Sequence, residues 1–300
     1  MQTCGKVKVE RECLVYLGYI FAIVKYTFAG TVFRLPRWCD ISLMLAAVIC
    51  FMLYIVLTQV RGKAFLLFLV SLTFSLVVYL SNGHDDDLII TVIAIYALRG
   101  VDIDKIVSCY AAVMASFFVL VIGYSLITGE NIGLYEGFRL ERGYEYRFTF
   151  GFIHPNSLQG MYLKMVSGLI LTKWGQSRRK IKCMLFEIGN IILFLFSDSR
   201  TGFIVLTIVL FLCICSKYII NRLGRNFFGY MMSGLSLFVI SFTIFASICY
   251  KQFDFLIRIS NLVTGRFDFA NRFLARFPIS MFGRDIVYTN KYGYGLILDC

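Results

Sequence analysis

The apolar residues of this chain run in long blocks separated by short charged stretches. Nine blocks stand out: Cys13–Phe33, Ile41–Val60, Ala64–Leu80, Leu88–Leu98, Ile106–Thr128, Phe150–Thr172, Ile181–Phe196, Thr201–Ser216 and Phe227–Tyr250. Eight of them are 16 to 24 residues long and the fourth has 11. A membrane helix needs about 20 mostly apolar residues. No strand-like alternation competes, and backbone in lipid must close its own hydrogen bonds. The pattern therefore predicts an all-α, polytopic integral membrane protein with about nine transmembrane helices over residues 1–250. An extracytoplasmic Arg/Phe-rich segment, 251–300, follows as a large outer loop carrying an amphipathic helix. No repeat recurs at a fixed period.

Lys and Arg in short loops set the orientation. The densest cluster, Lys173, Arg178, Arg179, Lys180 and Lys182, belongs in the cytoplasm. Counting back puts the amino terminus there too. The inside then carries 15 basic and 4 acidic residues, and the outside 13 of each. The fourth block must cross for this parity to hold. Lys25, Lys164 and Glu187 fall within spans, where charges are costly and paired or pathway-lining. The matched depths of Lys164 and Glu187 on consecutive spans predict an ion pair.

Composition agrees with this class: 59% hydrophobic, 16% charged, with a net charge of +12. A soluble domain is about 25% charged. The excess of basic residues serves topology, so nucleic acid is not the expected partner. The ten cysteines include six inside apolar blocks, and no CxxC occurs, so they are read as packing residues. No cleavable signal peptide is evident.

Several motifs could carry chemistry on the outer side. In Gly151-Phe152-Ile153-His154-Pro155-Asn156-Ser157-Leu158-Gln159-Gly160, Pro155 suits a first helical turn. His154 beside it could act as a base or donate to an anion. The turn Ser197-Asp198-Ser199-Arg200-Thr201-Gly202 is either a plain hairpin with an Asp198–Arg200 contact or an Arg fixed at the surface to grip phosphate. In Phe269–Phe277, Phe and Arg each repeat every four residues. That spacing suits a helix lying on the bilayer or an Arg-lined roof over an anionic lipid. His84-Asp85-Asp86-Asp87 suits a helix start and has the chemistry of a hard-cation site. A nucleotide-sugar site does not fit the outer side.

With these motifs in this order, the chain from about Leu88 onward resembles the bacterial O-antigen and capsule polymerases, the Wzy-type family. Leu262-Val263-Thr264-Gly265-Arg266 in the outer segment fits as well. The resemblance implies a metal-independent glycosyltransferase without cofactors in the bacterial cytoplasmic membrane. It polymerises undecaprenyl-pyrophosphate-linked repeat units on the outer face. The lipid bilayer, a chain-length regulator and a flippase are the implied partners. The residues carried over are His154, Arg200 and Arg266 as catalytic. Arg147, Asn156, Asp198, Arg272 and Arg276 are carried over as substrate-binding. Members of that family continue into further spans, whereas this sequence ends at Tyr294–Cys300, so a shortened form is expected. The related O-antigen ligases share the layout. A polysaccharide exporter is the rival class and predicts repeats with discontinuous helices; a non-catalytic scaffold is the residual one.

The topology is open to cysteine labelling of intact cells. Gly137→Cys should react with an impermeant maleimide and Ser177→Cys should not; external labelling at position 177 would sink the nine-span reading.

Overall fold

Each of the nine apolar blocks overlaps a helix in the computed structural model, which describes residues 2–58, 62–81, 86–130, 132–139, 143–262 and 265–277. The helices are α1 (Gln2–Phe28), α2 (Arg37–Leu57), α3 (Lys63–Ser81), α4 (Asp87–Ala97), α5 (Ile103–Thr128), α6 (Pro155–Leu171), α7 (Lys173–Gln176), α8 (Arg179–Ser197), α9 (Arg200–Leu223), α10 (Arg225–Cys249), α11 (Asp254–Leu262) and α12 (Arg266–Arg276). His84 and Asp85 of the acidic run, Val263 and Thr264, and the outer segment from 278 onward lie outside the described residues.

The fold is all-α with one small exception. Leu134–Arg139 (β1) and Gly143–Phe148 (β2) form an antiparallel hairpin, with Leu134 opposite Phe148 and Tyr135 opposite Arg147. No strand was expected there. The period-two alternation of Tyr144, Glu145, Tyr146, Arg147 and Phe148 is the overlooked signal.

Among the described residues, four helical stretches are long and apolar enough to cross a membrane: Arg37–Leu57, Lys63–Ser81, Ile103–Thr128 and Asn226–Gln252. Their flanks are turned outward: Leu66 is 63% exposed, Leu120 69% and Ile127 87%. Such apolar exposure would be costly in water and is neutral in lipid. The helix α4, at about 16 Å, is half the roughly 30 Å hydrocarbon thickness.

The chain divides into two compact units. The first holds α1, α2, α4–α8, the hairpin, most of α3 and the first half of α9; the second holds α10–α12 with the remaining ends of α3 and α9. In the first unit, α1 packs on α2 and α5, α5 on α6, and α6 on α8. Phe51, Val15, Ala47, Phe68, Ile93 and Ala97 form its core between α1, α2, α3 and α4.

Polar contacts in the middle of α1 and near its carboxyl end fix the direction of its neighbours. Toward the middle of the helix, Arg11 donates to the Leu57 carbonyl at 3.1 Å. Glu12 there lies 3.8 Å from Lys105. Near its carboxyl end, the Lys25 ammonium lies 3.5 Å from Asp86, and the Tyr26 hydroxyl donates to Asp87 at 2.7 Å. The segment from Asp86 to Lys105 thus runs back along α1 from Lys25 to Glu12, about 20 Å of helix. The short α4 and the turn after it cover that distance together.

Lys25 and Asp86 are 11% and 25% exposed in their side chains. Breaking a buried pair costs about 3–5 kcal/mol, and the partial exposure of Asp86 puts this one lower. Asp86→Asn should lower the thermal midpoint in detergent more than the double variant Lys25→Met/Asp86→Asn does. Losses that simply add would refute the coupling.

Candidate functional site

The start of α6 is set by three neighbouring devices. Gly151 adopts φ +84°, and a Cβ there would meet Val121 Cγ1 at 2.9 Å, so only glycine fits the turn. The residues after α1 pair with this turn: Val32 donates to the Gly151 carbonyl at 3.1 Å and Ile153 to that of Gly30 at 3.2 Å. His154 is then the N-cap in extended backbone, with Pro155 at the first helical position. Its Nδ1 accepts the Asn156 amide at 3.0 Å. An accepting Nδ1 carries no proton, so in the neutral ring the proton sits on Nε2. His154 in this arrangement donates through Nε2; a base role needs the other tautomer.

The turn between α8 and α9 meets that helix start. Asp198 is left-handed at φ 42° and ψ 35°, and its amide closes α8 on the Phe194 carbonyl at 2.8 Å. The Ser199 hydroxyl donates to Asn156 Oδ1 at 2.9 Å. This bond brings the amino ends of α6 and α9 together. Helix N-termini carry partial positive charge and favour anions.

Two arginines share the Asp198 carboxylate. Arg147 Nη2, from β2, lies 3.4 Å from Oδ2, and Arg200 Nε lies 3.6 Å from Oδ1. The Arg147 side chain is 7% exposed and that of Arg200 is 40% exposed. The carboxylate therefore holds a buried guanidinium and a half-exposed one in one place. The Asp198–Arg200 contact expected of a plain hairpin is present, and the buried Arg147 turns it into a three-residue cluster. Beside it, Phe148 stacks on Phe150 at 5.7 Å, and Phe196 meets both rings edge-on at 5.7 Å.

A polar network lies deeper between the same helices. Gln159, one turn below Asn156, donates through Nε2 to Asn190 Oδ1. Asn190 Nδ2 faces Glu187 Oε2, the Phe203 carbonyl and Thr207 Oγ1 at 3.1–3.3 Å. Thr207 donates to Glu187 Oε1 at 2.7 Å. The expected Lys164–Glu187 pair does not form. Lys164 points away from the unit and is exposed, while Glu187 is satisfied by neutral donors on α8 and α9. Gly202 permits the approach of α9 to α6, since a Cβ there would lie 2.9 Å from that of Gln159. Ser199, Gln159, Asn190 and Thr207 were not among the expected site residues. Gln159, Asn190 and Thr207 were visible as polar interruptions of apolar blocks.

The structure thus gathers His154, Asn156, Arg147, Asp198 and Arg200 in the first unit. Arg266, Arg272 and Arg276 lie on α12 in the second. There Phe267 meets Phe242 at 6.1 Å, and Asn271 donates to the Ser247 carbonyl at 2.9 Å. Arg272 donates to Asp268 one turn back. That hydrogen bond holds the Asp268 carboxyl below its ordinary range and raises Arg272. Arg276 lies 5.5 Å from the Phe277 ring. Among the described residues no group of three or more His, Cys, Asp or Glu side chains is arranged to hold a metal ion.

Compared with protein-family models, with curated proteins and with solved structures, the chain matches none.

The cap and the chemistry of His154 can be separated. His154→Ala should cost about 1 kcal/mol through the lost N-cap, and His154→Asn, a good cap, should restore most of it. Equal losses in thermal unfolding would overturn the capping role.

Proposed function

We propose that this chain is a membrane glycosyltransferase. It polymerises undecaprenyl-pyrophosphate-linked oligosaccharide repeat units on the outer face of a bacterial cytoplasmic membrane. The observation that carries the reading is the Arg147–Asp198–Arg200 cluster at the meeting point of two helix N-termini. Guanidinium groups match phosphate oxygens in pairs. A carboxylate that preorients them lowers the reorganisation needed when charge develops.

In this reading the acceptor sugar hydroxyl attacks the anomeric carbon of the donor glycan. The bond to the pyrophosphate oxygen breaks, the leaving pyrophosphate takes the electron pair, and the proton of the acceptor hydroxyl passes to that departing pyrophosphate. Arg147 and Arg200 neutralise its growing charge. His154, with its proton on Nε2, holds an oxygen of the acceptor or of the leaving group. Asn156 and Asp198 position these donors. Arg266, Arg272 and Arg276 keep only the role that the family resemblance gives them.

The same reading takes the nine helices that carry the apolar blocks as nine spans with the amino terminus in the cytoplasm. The course of Asp86–Lys105 back along about half of α1 supports a crossing by the fourth. One observation favours the exporter reading instead. Glu187 sits within a span, bonded to Asn190 and Thr207 without a cation, as proton-coupling carboxylates do. A ligase differs from a polymerase only in its second lipid substrate.

The test is the length of surface polysaccharide in cells expressing Arg200→Lys or Arg147→Lys at normal protein levels. Lysine keeps the charge and loses the paired donors, and losing one such donor costs about 10²–10³ in rate. Loss of long chains with single repeat units retained is expected. Wild-type chain lengths in both variants would defeat the assignment. Loss of lipid-linked units from the outer face, with Glu187→Gln behaving alike, would mark an exporter.

A further inference from the structure

The end of α6 away from His154, about 26 Å along the helix, carries a second feature. A groove of about 530 Å³ opens between the amino end of α5 and the junction of α6 and α7. Its floor is apolar, made by Ala111, Ala112 and Leu169, and its rim carries Asp104, Lys105, Lys173 and Trp174. We propose that this groove holds a glycerophospholipid with a primary ammonium headgroup, of the phosphatidylethanolamine kind.

The charges on the rim are mixed, and their engagement decides which ones face a ligand. The Asp102 carboxylate is occupied as the N-cap of α5, accepting the Asp104 amide at 3.0 Å. Asp104, exposed beside it, makes no side-chain contact that would hold it in a cap. Lys105 reaches Glu12 only at 3.8 Å, and its side chain is 58% exposed. Lys173 is exposed on the first turn of α7. Two ammonium groups and two carboxylates, one of them engaged in the α5 cap, around an apolar floor complement a zwitterionic amphiphile. The phosphate meets Lys105 and Lys173, the headgroup ammonium meets Asp104, and the glycerol and upper acyl carbons cover Ala111, Ala112 and Leu169.

Two further observations suit that occupant. Trp174 is 55% exposed, and indoles concentrate at the depth of lipid headgroups. Lys182 lies 3.7 Å over its ring and donates to its carbonyl, which holds the α7 turn and adds positive charge beside the phosphate position. Basic side chains between membrane helices hold lipid phosphates, as they do those of anionic lipids. Asp104 sets the choice among headgroups. A purely anionic headgroup would meet its repulsion, and a choline group has no N–H to donate to it.

The inference is independent of any glycosyltransferase activity. Its test is native mass spectrometry of the full chain in detergent, with equal amounts of phosphatidylethanolamine, phosphatidylglycerol and phosphatidylcholine of one acyl composition. Phosphatidylethanolamine should be retained best. Asp104→Asn should remove its advantage over phosphatidylcholine, and Lys173→Gln should lower both, each by about fivefold, as for exposed charge pairs. Ala112→Trp fills the floor at an exposed position and should lower retention with an unchanged thermal midpoint. Equal retention of the three lipids by the wild-type chain would overturn the proposal. So would a preference for phosphatidylglycerol that Asp104→Asn leaves unmoved, or phosphatidylethanolamine binding that neither Asp104→Asn nor Ala112→Trp alters.

Discussion

A polar group inside hydrocarbon has no water to turn to, so it must find its partner within the protein. A polar group buried in a packed protein interior meets the same requirement, and most of this structure follows from it. The backbone meets it by forming helices wherever the chain is apolar for long enough. The side chains meet it through contacts between helices. Lys25 takes Asp86, and Glu187 takes Asn190 and Thr207. Gln159 and Asn190, both fully buried, take each other. Each pairing ties two elements that the apolar effect alone would leave free to slide, because lipid tails are as apolar as leucine.

The same requirement explains where the charged cluster sits. Arg147 is buried, yet it lies in a hairpin at the helix ends and not along a helix face. Asp198 satisfies it and at the same time orients Arg200. The Asn156–Ser199 bond then joins two helix starts, whose unsatisfied amide groups add positive potential without adding side-chain charge. A cation-rich end and a mixed-charge end thus face each other across the length of α6. Their different charge patterns give the two ends different chemistry.

Much of the helical framework was legible in the pattern of apolar blocks, because a hydrocarbon environment leaves the backbone almost one choice. The start of α6 was equally legible, since a proline after a polar residue is a local signal. The hairpin was not, because six-residue alternation is weak beside long apolar runs. Its Arg147 could be named as a candidate from sequence, but its burial against Asp198 could not.

The amino-acid sequence by itself determined the all-α character and the apolar helices, since these depend on local composition and spacing. Only the tertiary structure decided the partners. Depth matching proposed Lys164 for Glu187, yet depth says nothing about rotation around a helix axis. A turn of α6 that points Lys164 outward leaves Glu187 to Thr207 and Asn190. Likewise the arginines read as one set divide between two units. Which side chains meet depends on helix rotation and long-range packing, and neither is encoded in the spacing of residues along a single segment.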